Sequence, residues 1–96
     1  MKRNNVLHTL SQAKPELIGR LGVSTIALFG STARDVAKNE SDVDILVSFE
    51  GLATSTKYFG VQFLLEDLLG CSVDLVTEKA LREELRDYVM REAIYV

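Results

Sequence analysis

The segment DVDILVSF, residues 42 to 49, alternates acids with apolar side chains: Asp42 and Asp44 interleave with Val43 and Ile45, and Val47 and Phe49 continue the apolar set. A period of two is the period of a strand, so a β conformation sends both carboxylates to one face and the apolar set to the other. Two residues along a strand separate the carboxylates by roughly 7 Å. Anionic groups that close repel and hold a proton, unless a shared cation makes the doubly ionised form favourable. Magnesium, which takes oxygen ligands, is the natural candidate.

Immediately upstream, IALFG reads as a buried strand that ends at Gly30, and STARDVAK can begin a helix with Ser31 as its N-cap. Backbone N–H groups left free at such a turn would face an anion. Glycine and serine after one strand and paired acids at the head of the next suggest a metal-dependent phosphate site. Each residue also has a plainer reading. Ser31 alone would be an ordinary helix cap, and Asp42 after Ser41 alone would be a turn acid at a strand entrance.

The rest of the chain alternates helical and strand periods without repeats, low-complexity tracts or a linker, so we expect an α/β fold with a small mixed β-sheet and helices packed on it. Val6, Leu7 and Leu10 share one helical face. Pro15 suits the first turn of a second short helix carrying Leu17, Ile18 and Leu21, which Gly22 ends. VSTIALF follows as the first strand. From about Thr56 to Leu69, Tyr58, Phe59, Val61, Leu64, Leu65 and Leu68 form an apolar stripe stopped by Gly70, and that helix should lie across the sheet. CSVDLVT reads as the third strand, with Cys71 in the core. Thr77 can cap a last helix with Leu81, Leu85, Tyr88 and Val89 at helical spacing, and IYV adds a closing strand or an arm.

Asp74 is a carboxylate inside the apolar run Val73, Leu75 and Val76. Taken alone it could face solvent from an edge strand; if its strand neighbours the one carrying Asp42 and Asp44, the three acids share a face. Arg34 lies three positions after Ser31, one helical turn on, and could add positive charge at a phosphate, although a surface salt bridge to Glu40 or Asp35 would explain it as well. His8 has no second histidine or cysteine to complete a zinc set. EKALREELRDYVMRE is a solvated helical face with opposite charges three and four apart. Tyr58, Phe59 and Phe63 read as core or partner-facing residues, not as a base-stacking platform.

At 96 residues the chain is long enough for one domain, taken here as 1 to 96, with one core. It is too short for further subdomains that would grip a nucleic-acid template. Its formal charge of −3 argues against a direct nucleic-acid substrate, which normally requires a basic footprint. MKRNNVLHTL lacks the apolar core of a signal peptide and no apolar run reaches transmembrane length, so the cytoplasm is the expected compartment and no membrane partner is expected. Cys71 is the only cysteine, which leaves no internal disulfide.

Gly30 and Ser31, then ten residues, then Asp42-Val43-Asp44, resemble the signature of the nucleotidyltransferase superfamily that includes polymerase beta. From LFGSTAR through SDVDILV and SVDLV to REAIYV the chain resembles a minimal nucleotidyltransferase, the short antitoxin that operates beside a HEPN-type toxin. One departure is visible: Asp35 stands where many relatives carry glycine, in a turn that an acidic residue tolerates better than most. The resemblance implies that Asp42, Asp44 and Asp74 hold two Mg2+ ions, with Asp74 on the hydroxyl-activating one. It also implies that Gly30, Ser31 and Arg34 bind the nucleotide, and that a hydroxyl attacks the α-phosphorus of ATP while pyrophosphate leaves.

Nothing in the chain resembles an acceptor-binding domain, yet the rate gained by orienting a second reactant requires that reactant to be held. The acceptor is therefore expected to bring its own docking surface. The resemblance implies a cognate HEPN-type RNase toxin in a hetero-oligomer, with a tyrosine that receives AMP. Two alternatives stand beside this: a small-molecule nucleotidyltransferase of the antibiotic-modifying type, and a non-catalytic antitoxin that masks its partner by binding.

Overall fold

The structure, a computed structural model, describes residues 2–36 and 42–96. Helix α1 (Arg3–Leu21) leads into strand β1 (Val23–Phe29), a single helical turn α2 (Gly30–Ala33) and strand β2 (Val43–Phe49). Helix α3 (Ser55–Leu69) then crosses to strand β3 (Val73–Thr77), and after a 3-10 turn over Glu78–Ala80 come helix α4 (Glu83–Glu92) and a short strand β4 (Ile94–Tyr95). The sheet order is β3-β2-β1-β4. β1 runs antiparallel to both β2 and β4, whereas β2 and β3 are parallel, joined by α3 as a parallel connection requires. The mixed sheet expected from the sequence is present.

Strand periodicity sets the two faces. Val43, Ile45 and Val47 of β2 and Val73 and Leu75 of β3 enter one core with Val6, Leu10, Leu17 and Leu21 of α1 and Val61, Leu65 and Leu69 of α3. Ala27 and Leu46 point the other way and are covered by Val89 of α4, with Phe29, Val76, Leu81 and Ala93 around them. A register shift between Val23 and Thr25 lets Val23 face the same core as Ile26 and Leu28 despite the odd spacing.

Near the N-terminus, the expected pair of short helices is one continuous helix. Pro15 lies inside α1, where it removes an N–H from the ladder at a cost of about 3 kcal/mol. The stripe Val6, Leu10, Ala13, Leu17 and Leu21 runs unbroken past it, and each large buried side chain contributes about 1.5–3 kcal/mol, so burial wins. Gly22 ends this helix, and Gly70 ends α3, both in the left-handed conformation expected of them.

Other departures are local. Thr77 caps not the last long helix but the 3-10 turn, accepting from the Ala80 N–H at 3.2 Å, and α4 starts only at Glu83. Leu81 follows that turn in extended conformation, which breaks the helical register read from the sequence. Cys71 precedes β3 instead of lying in it and is half-buried, because Gly70 has only just released the chain from α3. Leu85 and Tyr88 are exposed, so Val89 alone of the four spaced residues is fully buried. His8 is exposed.

Of the aromatics on α3, Tyr58 is half-buried and its hydroxyl donates to the Leu75 carbonyl, while Phe59 and Phe63 are exposed with ring centroids 6.0 Å apart. The closing residues form a strand, pinned by the Val96 N–H on the Ile26 carbonyl at 3.2 Å and by Lys14 Nζ on the Val96 carbonyl at 2.7 Å. Among the described residues no helix is long and apolar enough to cross a membrane.

Candidate active site

The chain reaches one end of the sheet four times: β1 leaves it at Phe29, and β2, β3 and β4 all enter there. Phe29 is the register partner of Asp44 across the antiparallel pair. Asp44 is in turn the register partner of Asp74 across the parallel pair. Adjacent strands lie about 4.8 Å apart, so two side chains in register on one face meet directly. Both acids have the parity of Leu46 and Val76 and so stand on the face covered by α4. Asp42 is exposed, one residue before β2 begins.

Burial and neighbouring like charges both act on Asp44. Its carboxyl is pushed up from 3.8 to about 6, first by burial, then by the charge of Asp74 and a hydrogen bond with it, then by the charge of Asp42. Arg34 pulls the other way. The three acids and the arginine thus act on one another across a single site, with Asp44 at its centre. Asp74 is exposed on an edge strand, as the plainer reading has it, and that strand is the neighbour of β2, which is the condition the three-acid reading required.

Gly30 makes the close approach possible. Its φ is +74°, and a Cβ at this position would stand 2.1 Å from Asp44 Oδ2 and 2.9 Å from its Cγ. Only a residue without a side chain lets the carboxylate lie against the turn. Ser31 is not the N-cap expected for it. Phe29 takes that position in extended conformation, with no side-chain cap, and Ser31 is the second residue of α2. The carbonyl of Ser31 accepts from the Val36 N–H at 3.0 Å. α2 ends at Ala33, so the helix read over STARDVAK is cut short; its last two residues, the candidate partner Glu40 and the turn residue Ser41 lie outside the described residues.

Asp35 has φ +60°, the left-handed turn anticipated for it, and is the one described non-glycine residue there. Its side chain turns to α1, where Oδ1 accepts from the Arg3 N–H at 3.2 Å. Arg34 pairs with Glu92, at 2.9 Å, and not with Asp35. Glu92 was hidden in the sequence: it lies 58 residues from Arg34, and no spacing rule links a turn to the far end of a later helix.

Thr32 is 1% exposed, and its hydroxyl is a buried oxygen without a hydrogen-bond partner among the described residues. Thr32→Val keeps the shape and removes the orphan group, so it should raise the unfolding free energy by about 1 kcal/mol. A urea midpoint that rises at unchanged slope would show this; an unchanged or lower midpoint would mean that the hydroxyl is solvated in solution.

Among the described residues no three acidic, histidine or cysteine side chains form a ready-made metal cage. The donor chemistry nevertheless fits magnesium. That ion commonly takes one or two carboxylates and fills its shell with waters and substrate phosphates, and Asp44 and Asp74 meet in register with Asp42 close enough to act on Asp44.

Acids at the heads of two adjacent strands, facing a glycine-serine turn from a third, give the chain the architecture of the polymerase beta-like nucleotidyltransferases. It belongs to the nucleotidyltransferase domain family, which matches residues 10–96. The protein adenylyltransferase MntA of Thermococcus cleftensis is 45% identical over 87 residues, which cover 91% of this chain and 88% of that protein. A solved structure assigned as a minimal nucleotidyltransferase superposes with a TM-score of 0.83 at 39% identity, over 98% of this chain and 95% of the other. The fold is also shared, at 19% identity and a TM-score of 0.69, with a chain of the complex between tri-AMPylated Shewanella oneidensis HEPN toxin and MNT antitoxin, over 97% of this chain and 70% of that one.

Proposed function

We propose that this nucleotidyltransferase is a cytoplasmic protein adenylyltransferase that moves AMP from ATP to a tyrosine of a HEPN-type RNase toxin and so acts as its antitoxin. The observation that carries the chemistry is the register pairing of Asp44 with Asp74 beneath Gly30. The choice of acceptor is supported by the name of the Thermococcus relative and by the AMPylated toxin in the Shewanella complex.

Asp42, Asp44 and Asp74 would hold Mg2+, two ions in the reading proposed here, which when bound supplies positive charge to the triphosphate and lowers the pKa of the attacking hydroxyl. Gly30 keeps the turn open to the phosphates, and Ser31 contacts them through its hydroxyl and amide. Arg34 adds a cation at the phosphates of the bound nucleotide. Asp74, the most exposed acid within the strands, faces the incoming acceptor and helps take its proton, since a tyrosine hydroxyl near pKa 10 stays protonated at neutral pH. The tyrosine oxygen bonds to the α-phosphorus as the bond to the β-phosphate breaks, and pyrophosphate departs.

Intact-mass spectrometry of the toxin, run beside an RNase assay, tests this. With ATP and magnesium the toxin should gain one AMP or several at a tyrosine and remain inactive after this protein is removed. A mask works only while bound, so it would neutralise the toxin at unchanged mass, follow occupancy and ignore ATP. Adenylylation of an added small hydroxyl or amine compound, with the toxin untouched, would point instead to a small-molecule enzyme.

A further inference from the structure

Outside the carboxylates, one ion pair joins the turn after β1 to the end of α4. Arg34 Nη1 donates to Glu92 Oε2 at 2.9 Å, with the arginine side chain 45% exposed and the glutamate 23%. Glu92 is the last residue of α4, and two residues later Ile94 pairs with Leu28, two positions before Gly30. The end of α4 and the glycine-serine turn therefore meet at the same end of the sheet. A pair this exposed adds little to stability. What it fixes is direction. A guanidinium carries five donors in a rigid planar fork, and Glu92 accepts from one nitrogen of it, Nη1.

We infer that Glu92 is a positioning residue for the nucleotide: it grips one edge of Arg34 and holds the remaining donors toward the phosphates of a bound nucleoside triphosphate. The inference rests on the nucleotide reading of the site given above. An arginine already held in place surrenders less side-chain freedom when the phosphates arrive, so the anchor should appear as affinity and not as chemistry.

The test combines calorimetry of Mg-ATP with steady-state transfer. Glu92→Gln, which keeps the shape and removes the charge, should weaken Mg-ATP binding about tenfold and raise KM with kcat unchanged. In an Arg34→Ala background the same change should add nothing, because its only route to the nucleotide is gone. Arg34→Lys should lose affinity to a similar degree, since an ammonium engaged by Glu92 offers no second planar edge, and this variant decides the matter even where Glu92→Gln melts early.

Full affinity in Arg34→Lys, or a Glu92→Gln effect of equal size in both backgrounds, would overturn the inference. So would tighter binding by Glu92→Gln, which would make the glutamate a competitor for the arginine. A wild-type chain that binds no Mg-ATP would sink the nucleotide reading and this inference with it, whereas wild-type binding that Glu92→Gln leaves unchanged sinks the inference alone.

Discussion

Asp44→Asn is expected to abolish nucleotide transfer and at the same time to make the metal-free protein more stable above pH 6. Both results follow from the position of Asp44 between Asp74, Asp42 and the Gly30 turn. The amide keeps the shape of the carboxylate but removes a charge that would hold a cation against the triphosphate, so transfer should fall by roughly 10³-fold or more, the scale of losing a preorganised electrostatic contact. The stability change has the opposite sign. In the folded protein the carboxyl titrates at about 6 instead of 3.8. Between those values the folded chain keeps a proton that the unfolded chain has released, so stability falls as pH rises through the window and stays lowered above it. Asparagine never carries that charge.

Melting curves in chelator should therefore show the variant above the wild type at pH 7 to 8, with the difference closing toward pH 4. Magnesium should narrow the gap by stabilising the wild type alone. A variant that melts lower than wild type at neutral pH would mean that the carboxylate is not repelled by its neighbours, and would remove the reason for placing a cation there.

Gly30→Ala has the second large effect. A left-handed φ costs an alanine about 1–2 kcal/mol, and its Cβ would overlap Asp44 Oδ2 at 2.1 Å, so the turn or the carboxylate must move. Misplacing a reacting group by an ångström is enough for roughly 10²-fold in rate, which we expect in transfer together with a loss of about 2–3 kcal/mol in stability. Gly19→Ala is the control. That glycine lies in α1 with nothing within 4 Å of its added Cβ, and alanine there should stabilise by about 1 kcal/mol with transfer unchanged. Equal behaviour of the two variants would show that the turn at Gly30 is as permissive as an exposed helix.

These expectations draw on features that differ in how far the sequence discloses them. Strand β1 and the face carrying Asp44 could be read directly, since alternation is a local property and leaves little choice of face. The glycine stops at Gly22 and Gly70 were legible because a glycine tolerates the left-handed backbone there, whereas the turn at Asp35 was legible only through the resemblance, which implies a glycine at that position. The pairing of Asp44 with Asp74 could be posed only as a condition, because parity fixes the face of a strand but not its neighbour. Ser31 was misplaced by two positions, since Phe29 occupies the cap position without the usual polar side chain. Pro15 misled for a different reason, its local cost being outweighed by the apolar stripe that continues beyond it. Glu92 left no trace at all; its contact with Arg34 exists only once β4 has brought the end of the chain alongside β1.

The contact between Asp35 and Arg3 explains how a turn that favours glycine can hold an acid. A glycine at 35 would relieve the backbone of about 1 kcal/mol of left-handed strain, but it would leave the first N–H of α1 bare, on a helix whose own cap position is occupied by Lys2 without a side-chain cap. Aspartate accepts the strain and supplies the missing acceptor, a substitution worth about the same amount in the other direction. Position 35 is therefore nearly degenerate in free energy between the two residues. A lineage can drift from one to the other without passing through an unstable intermediate, and the acid, once turned toward the helix, has its carboxylate committed to the Arg3 N–H.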